Sequence, residues 1–280
     1  MGRALSSLID NIDLEKIDIN IFRGKTIDDA RDYVYGGQVL AQAINAASRT
    51  VARPLVLHSL HAYLLREGDE DSPIIYEVDR IRDGRSFTTR RVVAIQHGRA
   101  IFNVSLSYQL PEEALVEHGS PMPKVVGPED LINDEILAME LYGEARQKAW
   151  PVEYRQVDPV NPNNPEVKPA NTCVWFRSNG ALADDYAMHQ ELLAYASDYL
   201  LLQTALRPHG MHADEAALQV ASLDHSLWFH RPFRVDEWLL YEIESTAAAG
   251  ARAFCRGRVF NVDGDLVAST AQEGLIRNSR

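Results

Sequence analysis

The sequence has little of what marks a metal-cluster, disulfide, nucleic-acid or membrane protein. Only two cysteines, Cys173 and Cys255, occur in 280 residues. Two are too few for a disulfide framework or a cysteine-rich zinc site. Basic residues are outnumbered, with 28 Lys plus Arg against 40 Asp plus Glu, for a formal net charge of −12. Such a chain lacks the general electrostatic footprint of a nucleic-acid or anionic-lipid binder, leaving room only for a local basic pocket. No window approaches 18 uninterrupted apolar residues, so no membrane span is expected. The N-terminal MGRALSSLIDNIDLEKIDIN is charged throughout and has no apolar signal core. The terminal Asn278-Ser279-Arg280 is not a Ser-Lys-Leu peroxisomal address. These absences set the expectation of a soluble, reduced, cytoplasmic protein. Phosphate-cradling and dinucleotide motifs are missing too, as is the G-x-S-x-G nucleophile elbow. His58, His61, His225 and His230 lack the spacing of a metal motif, so neither a metal nor a cofactor is expected.

What is present is an average globular composition, 46% hydrophobic and 24% charged, with length for about two domains. Prolines divide it. Nine of the 13 fall between Pro111 and Pro169, most densely in DPVNPNNPEVKPA, Asp158 to Ala170. Proline at this density removes backbone donors and interrupts helices. Residues 111–170 therefore read as a connector between units at 1–110 and 171–280. Within it, DLINDEILAMELYGEARQKAW has the makings of one helix.

The two outer units resemble each other. His61 matches His225 at an offset of 164, and Tyr76-Glu77 match Tyr241-Glu242 at 165. Gly84, Arg90, Val93 and Gly98 match Gly250, Arg256, Val259 and Gly264 at 166. Similar pieces keep their order, which points to duplication. Each unit reads as a helix followed by antiparallel strands. GGQVLAQAINAAS has apolar residues at helical spacing, and HQELLAYASDYLLLQTAL is apolar on most sides. Alternating runs such as IIYEVDRI, TTRRVVAIQ, AIFNVSLSYQ and AFCRGRVFN follow, with hairpin turns at His97-Gly98 and Asp263-Gly264. A helix on a curled antiparallel sheet is an α+β layer solution.

Several residues invite chemistry. Asp198 lies among leucines in AYASDYLLLQ, and burying a carboxylate is costly unless it is partnered. Desolvation would raise its pKa, which suits a general base; an internal Asp held by an Arg is the structural alternative. Ser222 opens a strand in ASLDHSLWF, and Gln272 lies in the last strand, LVASTAQEGLI. Each taken alone reads as an ordinary strand residue. Gly36-Gly37 mark a helix start whose first N–H groups lack intrahelical acceptors. Gly84 to Phe87 forms a turn that presents Arg85 to an anion or to solvent. Asp32 and Arg23 read as a solvated charged face.

Together YGGQVLAQA, HSLHAYLLREGD, IYEVDRIRDGRSFTTRRVVAIQHG, LLAYASDYLLL, ASLDHSLWFHRPF, EWLLYE and VASTAQEGLIR resemble the type II (TesB-like) acyl-CoA thioesterase family. The resemblance spans nearly all the chain outside the connector. It implies an α+β double hotdog, two helix-wrapped antiparallel units in one chain. It also implies a catalytic set of Asp198, Ser222 and Gln272, with some relatives carrying Thr in place of Ser222. LREGD departs mildly, having Glu67 where relatives often have Pro. The implied reaction is hydrolysis of acyl-CoA to fatty acid and CoA by an activated water, without a covalent intermediate. Asp198 would be the base, and Ser222 and Gln272 would fix the water. Donors near Gly36-Gly37 would face the developing oxyanion.

At the repeat offsets Ser222 corresponds to His58 and Gln272 to Leu106, so one active site per chain is expected, with His58 lining or supporting it. Arg85 is the candidate CoA contact, and positive potential is expected only at the mouth of one pocket. A homo-oligomer, dimer or tetramer, is expected. Two other readings stay open at this point. A hotdog hydratase would need a His paired with an acid, and an acyl-CoA sensor would use the polar set only to solvate its ligand.

Overall fold

The computed structural model describes residues 2–26, 33–142 and 149–279. The N-terminal half comprises α1 (Arg3–Ile12), β1 (Glu15–Asp18), β2 (Ile21–Gly24), α2 (Gly36–Ser48), β3 (Val56–Leu64), β4 (Ile74–Asp83), β5 (Phe87–Gln96) and β6 (Arg99–Gln109). The connector supplies α3 (Asp134–Tyr142) and β7 (Val152–Gln156). The C-terminal half has β8 (Asn171–Ser178), α4 (Tyr186–Ser197), α5 (Leu201–Leu206), β9 (Leu218–Ser222), β10 (Asp224–Phe229), β11 (Leu239–Ala249), β12 (Arg252–Phe260) and β13 (Leu266–Asn278). Asp32 lies outside the described residues; Arg23 instead pairs with Glu15 at 2.8 Å.

All strand pairs are antiparallel, and the order β1-β2-β4-β5-β6-β3-β10-β13-β12-β11-β8-β7 reads back on itself about the β3–β10 junction, with β9 added on β13. The duplication is thus visible as topology: two α+β hotdog units share one sheet through their innermost strands. Helix α2 packs on β5 and against α4, while α5 packs on β11 and β12. One apolar cluster runs through both halves, from Leu40, Ile44 and Tyr76 to Leu193, Tyr241 and Val259.

Register corrects part of the repeat alignment. Tyr76 pairs with Ala94 and Tyr241 with Val259, so β5 matches β12 at an offset of 165. Arg90 therefore corresponds to Cys255, not Arg256; Arg90 and Cys255 are both buried, whereas Arg256 is exposed. In the same way Ala62 pairs with Val104 and Leu227 with Thr270, which matches β3 to β10 at 165. His61, exposed, is not the partner of buried His225; Leu60 is. The next correction follows from the rungs Leu57–Tyr108 and Ser222–Gly274, which align Ser222 with Leu57 and leave His58 in a β-bulge. A one-residue slip moves a strand's side chains to the opposite face, and sequence identity alone does not register it. The match of Gln272 with Leu106 stands, since they pair with equivalent Cys255 and Arg90.

Two further expectations change. The apolar run 189–206 is two helices, because Leu200 adopts a left-handed conformation, φ 66° and ψ −7°. That conformation costs a non-glycine residue about 1 kcal/mol. The proline-rich connector also does more than link: β7 extends the sheet along β8, and Asp134 of α3 accepts from Gln156 and from Tyr199 of the C-terminal half, both at 2.8 Å.

Candidate active site

The break between α4 and α5 turns Asp198 out of the helical repeat. Its carboxylate meets the start of α2, where the N-cap Tyr35 offers no side-chain acceptor. Gly37 N–H donates to Asp198 Oδ2 at 3.1 Å, so Asp198 caps a helix of the other half. Glycine is needed here for contact. A Cβ on Gly36 would lie 2.8 Å from Asp198 Oδ2, and one on Gly37 would collide with the Tyr195 carbonyl oxygen.

Gln272 brings the other groups together. Its Nε2 lies 3.2 Å from Asp198 Oδ1 and also donates to Ser222 Oγ. Its Oε1 lies 3.0 Å from His225 Nδ1, and His225 Nε2 lies 3.0 Å from Ser197 Oγ. Gln272 is 1% exposed and His225 fully buried, whereas Asp198 and Ser222 are half-buried. Burial holds the His225 imidazole below its usual pKa, even though the Asp198 charge pulls the other way. The sheet register accounts for the meeting: β10 and β9 follow one another along one edge of β13, with β12 on the other, so Ser222, His225 and Gln272 project toward the same end of α4.

Asp198, Ser222, Gln272 and Gly36 open into a cleft of about 970 Å³. Its walls come from all three parts of the chain: Val34, Leu64 and Phe102 from the first half, Leu137, Leu141 and Val160 from the connector, and Leu200 and Leu202 from the second. Asp134 also lines it, and burial raises the Asp134 pKa. A cleft that mixes apolar walls with convergent polar and charged groups is the form of a pocket for a ligand with both apolar and polar parts.

Other expected residues fall elsewhere. His58 is not in the cleft wall; it hydrogen-bonds Ser107 at 2.8 Å and meets the Phe87 ring edge-on. Gly37 does not line the cleft, and its N–H is directed to Asp198. Arg85 is exposed in the turn closed by Gly84 N–H to Phe87 O at 3.1 Å, away from the cleft wall. The positive potential expected at the mouth is not supplied by the described walls, where Arg66 and His212 stand among Glu67, Asp134, Asp198 and Asp214. Sequence reasoning missed Ser197 and gave His225 no chemical role. The alternating burial of β10, with His225, Leu227 and Phe229 inward, is the signal that places His225 on the helix side. No His, Cys, Asp and Glu cluster fit for a metal occurs among the described residues. Nor is any helix among them long and apolar enough to cross a membrane.

Two hotdog units on one sheet, with a hydrogen-bonded polar cluster in a cleft that both units line, define a double-hotdog protein. Comparison with known proteins gives the family. Residues 26–109 match the acyl-CoA thioesterase N-terminal domain model, and residues 144–275 match the acyl-CoA thioesterase model. The chain is 42% identical over 286 residues to acyl-CoA thioesterase 2 of Haemophilus influenzae, covering 100% of both. The structure of an acyl-CoA thioesterase II from Mycobacterium marinum superposes with a TM-score of 0.80 at 39% identity, covering 97% of this chain and 98% of that one. A hot dog fold protein from Alicyclobacillus acidocaldarius shares the fold at 18% identity and a TM-score of 0.79, covering 98% of this chain and 99% of that one. The chain belongs to the acyl-CoA thioesterase family, whose members are thioester hydrolases.

Proposed function

We propose that this protein hydrolyses fatty acyl-CoA to a free fatty acid and CoA, with Asp198 as the general base. The observation that carries this reading is the single hydrogen-bonded cluster of Asp198, Ser222 and Gln272 in a cleft walled in part by Val34, Leu64, Phe102, Leu137 and Leu200. Gln272 holds the base and the hydroxyl with its two amide protons, so the attacking water is bound by Asp198 and Ser222. Asp198 takes a proton from the water as the water oxygen bonds to the thioester carbon. The C–S bond then breaks, and the departing CoA thiolate takes that proton. Gly36, at the α2 N-terminus in the cleft wall, is the candidate for facing the developing oxyanion.

One site per chain is the reading that the register supports, since the first half carries Leu57, Leu60 and Leu106 where the second has Ser222, His225 and Gln272. His58 supports the first-half sheet in this scheme, and Arg85 is left as a candidate contact for the CoA phosphates outside the cleft. The connector is a working part of the enzyme, since α3 walls the cleft between units 1–110 and 171–280. Self-association of the chain is the reading given to the exposed Tyr63, Phe87 and Phe254, which lie on the sheet face away from the helices. Light scattering tests it, and a monomer would refute it.

Mixing the protein with acyl-CoAs and following free thiol tests the reaction. Thiol release is expected. Hydration of an enoyl-CoA without thiol release would indicate a hydratase, and binding without turnover a sensor.

A further inference from the structure

We propose that His225 is a positioning residue: its imidazole, carrying its proton on Nδ1, sets which way the Gln272 amide faces and so keeps that amide's NH2 on Asp198 and Ser222. This rests on the function proposed above.

The two ends of a glutamine amide have nearly the same shape and opposite chemistry. Gln272 is buried, so its neighbours decide its orientation. An Asp198 that serves as base is an acceptor only, so the NH2 must face Asp198 Oδ1 at 3.2 Å. The carbonyl Oε1 then faces His225 Nδ1 at 3.0 Å, and that nitrogen must donate. A neutral imidazole has one N–H, so Nε2 is bare and accepts from the Ser197 hydroxyl at 3.0 Å.

Ser197 Oγ also lies 3.0 Å from the Ala194 carbonyl, which creates a second self-consistent arrangement. If Ser197 donated to Ala194, His225 would donate from Nε2 and present a bare Nδ1. Gln272 would then turn its NH2 toward His225 and its carbonyl toward Asp198. Two acceptors would oppose each other at the base, and Ser222 would lose its donor. Of the two proton placements, only the Nδ1–H form is compatible with an ionised Asp198. The first half shows the pair as a unit. It has Leu60 at the His225 position and Leu106 at the Gln272 position, so both polar partners are replaced together.

Nitrogen-15 NMR of histidine-labelled full-length protein at neutral pH reads the tautomer directly. A neutral Nδ1–H imidazole for His225 is expected; an Nε2–H form or an imidazolium overturns the proposal. Kinetics supply the second arm. His225→Leu, a side chain the first half accommodates at this place, removes the donor. It should lower kcat about 30-fold while KM stays within about twofold, since one buried acceptor is stranded and the base misoriented. His225→Asn keeps an N–H near the Nδ1 position and should recover about tenfold of that loss. Unchanged kcat in folded His225→Leu, or no recovery in folded His225→Asn, overturns the proposal. The tautomer measurement needs no variant, so it decides even if His225→Leu does not fold. Absence of thiol release by the wild type would instead refute the thioesterase reading and leave the tautomer result standing.

Discussion

Gln272 Nε2 lies 3.2 Å from Asp198 Oδ1, although the two residues are 74 positions apart in the chain. That contact joins β13, the last strand in the chain, to the break between α4 and α5. It also gives the amide a defined task, because both of its ends are engaged within the cluster.

Gln272→Glu places a second carboxylate against Asp198. Like charges oppose double ionisation, so one of the pair must titrate higher. The acid limb of the kcat/KM profile should move up by about one pH unit or more, while Gln272→Leu should lower kcat without that displacement. Full pH–rate profiles of both variants check this, and an unmoved acid limb in Gln272→Glu would count against Asp198 as the base.

Ser222→Ala removes a hydroxyl from the water site and strands one Gln272 N–H. Turnover should fall about 10- to 100-fold, with little change in melting temperature because Ser222 is only half-buried. Ser222→Thr keeps the hydroxyl and should stay within about fivefold of wild type. Steady-state thiol release on both variants measures the contrast.

Leu137 of α3 lines the cleft beside Leu141. Replacing it with Ala enlarges the apolar wall, and replacing it with Trp fills it. A buried methylene is worth about 0.8 kcal/mol, so preference between acyl-CoAs a few carbons apart should move about 5- to 10-fold. Leu137→Ala should favour longer chains and Leu137→Trp shorter ones, read as ratios of kcat/KM across a chain-length series.

Glu191 sits in α4 against Asn45 of α2, and burial pushes its carboxyl up to about 8. Its folded pKa therefore lies above its unfolded value of 4.5. The folded state binds more protons than the unfolded state in that window, so stability contributed by the neutral acid falls as pH rises from about 4.5 to about 8. Glu191→Gln should remove this dependence. Its stability relative to wild type should improve by about 2–4 kcal/mol across the window. Denaturant unfolding of both proteins at pH 5 and pH 8 tests the sign.

Much of the fold was legible in local pattern. Val92, Ala94, Val104 and Leu106 alternate with exposed or half-buried neighbours, and the helix-then-strands order recurs in both halves. Register was not legible, because it depends on which residues face each other across strands. That is why Arg90 and Arg256, or His61 and His225, match by letter while lying on opposite faces of the sheet. The break at Leu200 was hidden too: LLAYASDYLLLQ carries no glycine or proline, and the left-handed residue is tolerated only in the packed whole. Strand β7 escaped because the prolines around it outweighed the short VEYRQ run, although an edge strand accommodates such neighbours.

Asp198, Ser222 and Gln272 were nameable through the family resemblance, and the fold brings them within hydrogen-bonding reach. Their supporting residues were not nameable. His225 and Ser197 enter through cross-strand and helix–sheet packing, which a linear motif does not encode. His58 and Arg85 drew attention by residue type alone, and the bulge after Leu57 and the turn after Gly84 direct them away from the cleft wall.

The most direct test is thiol release by Asp198→Asn in protein shown by circular dichroism to be folded. Asparagine keeps an acceptor for Gly37 N–H and removes the base. Turnover of acyl-CoA should drop about 100-fold or more, with KM little changed. Folded Asp198→Asn that retains more than about a tenth of wild-type turnover would contradict general-base hydrolysis at this residue.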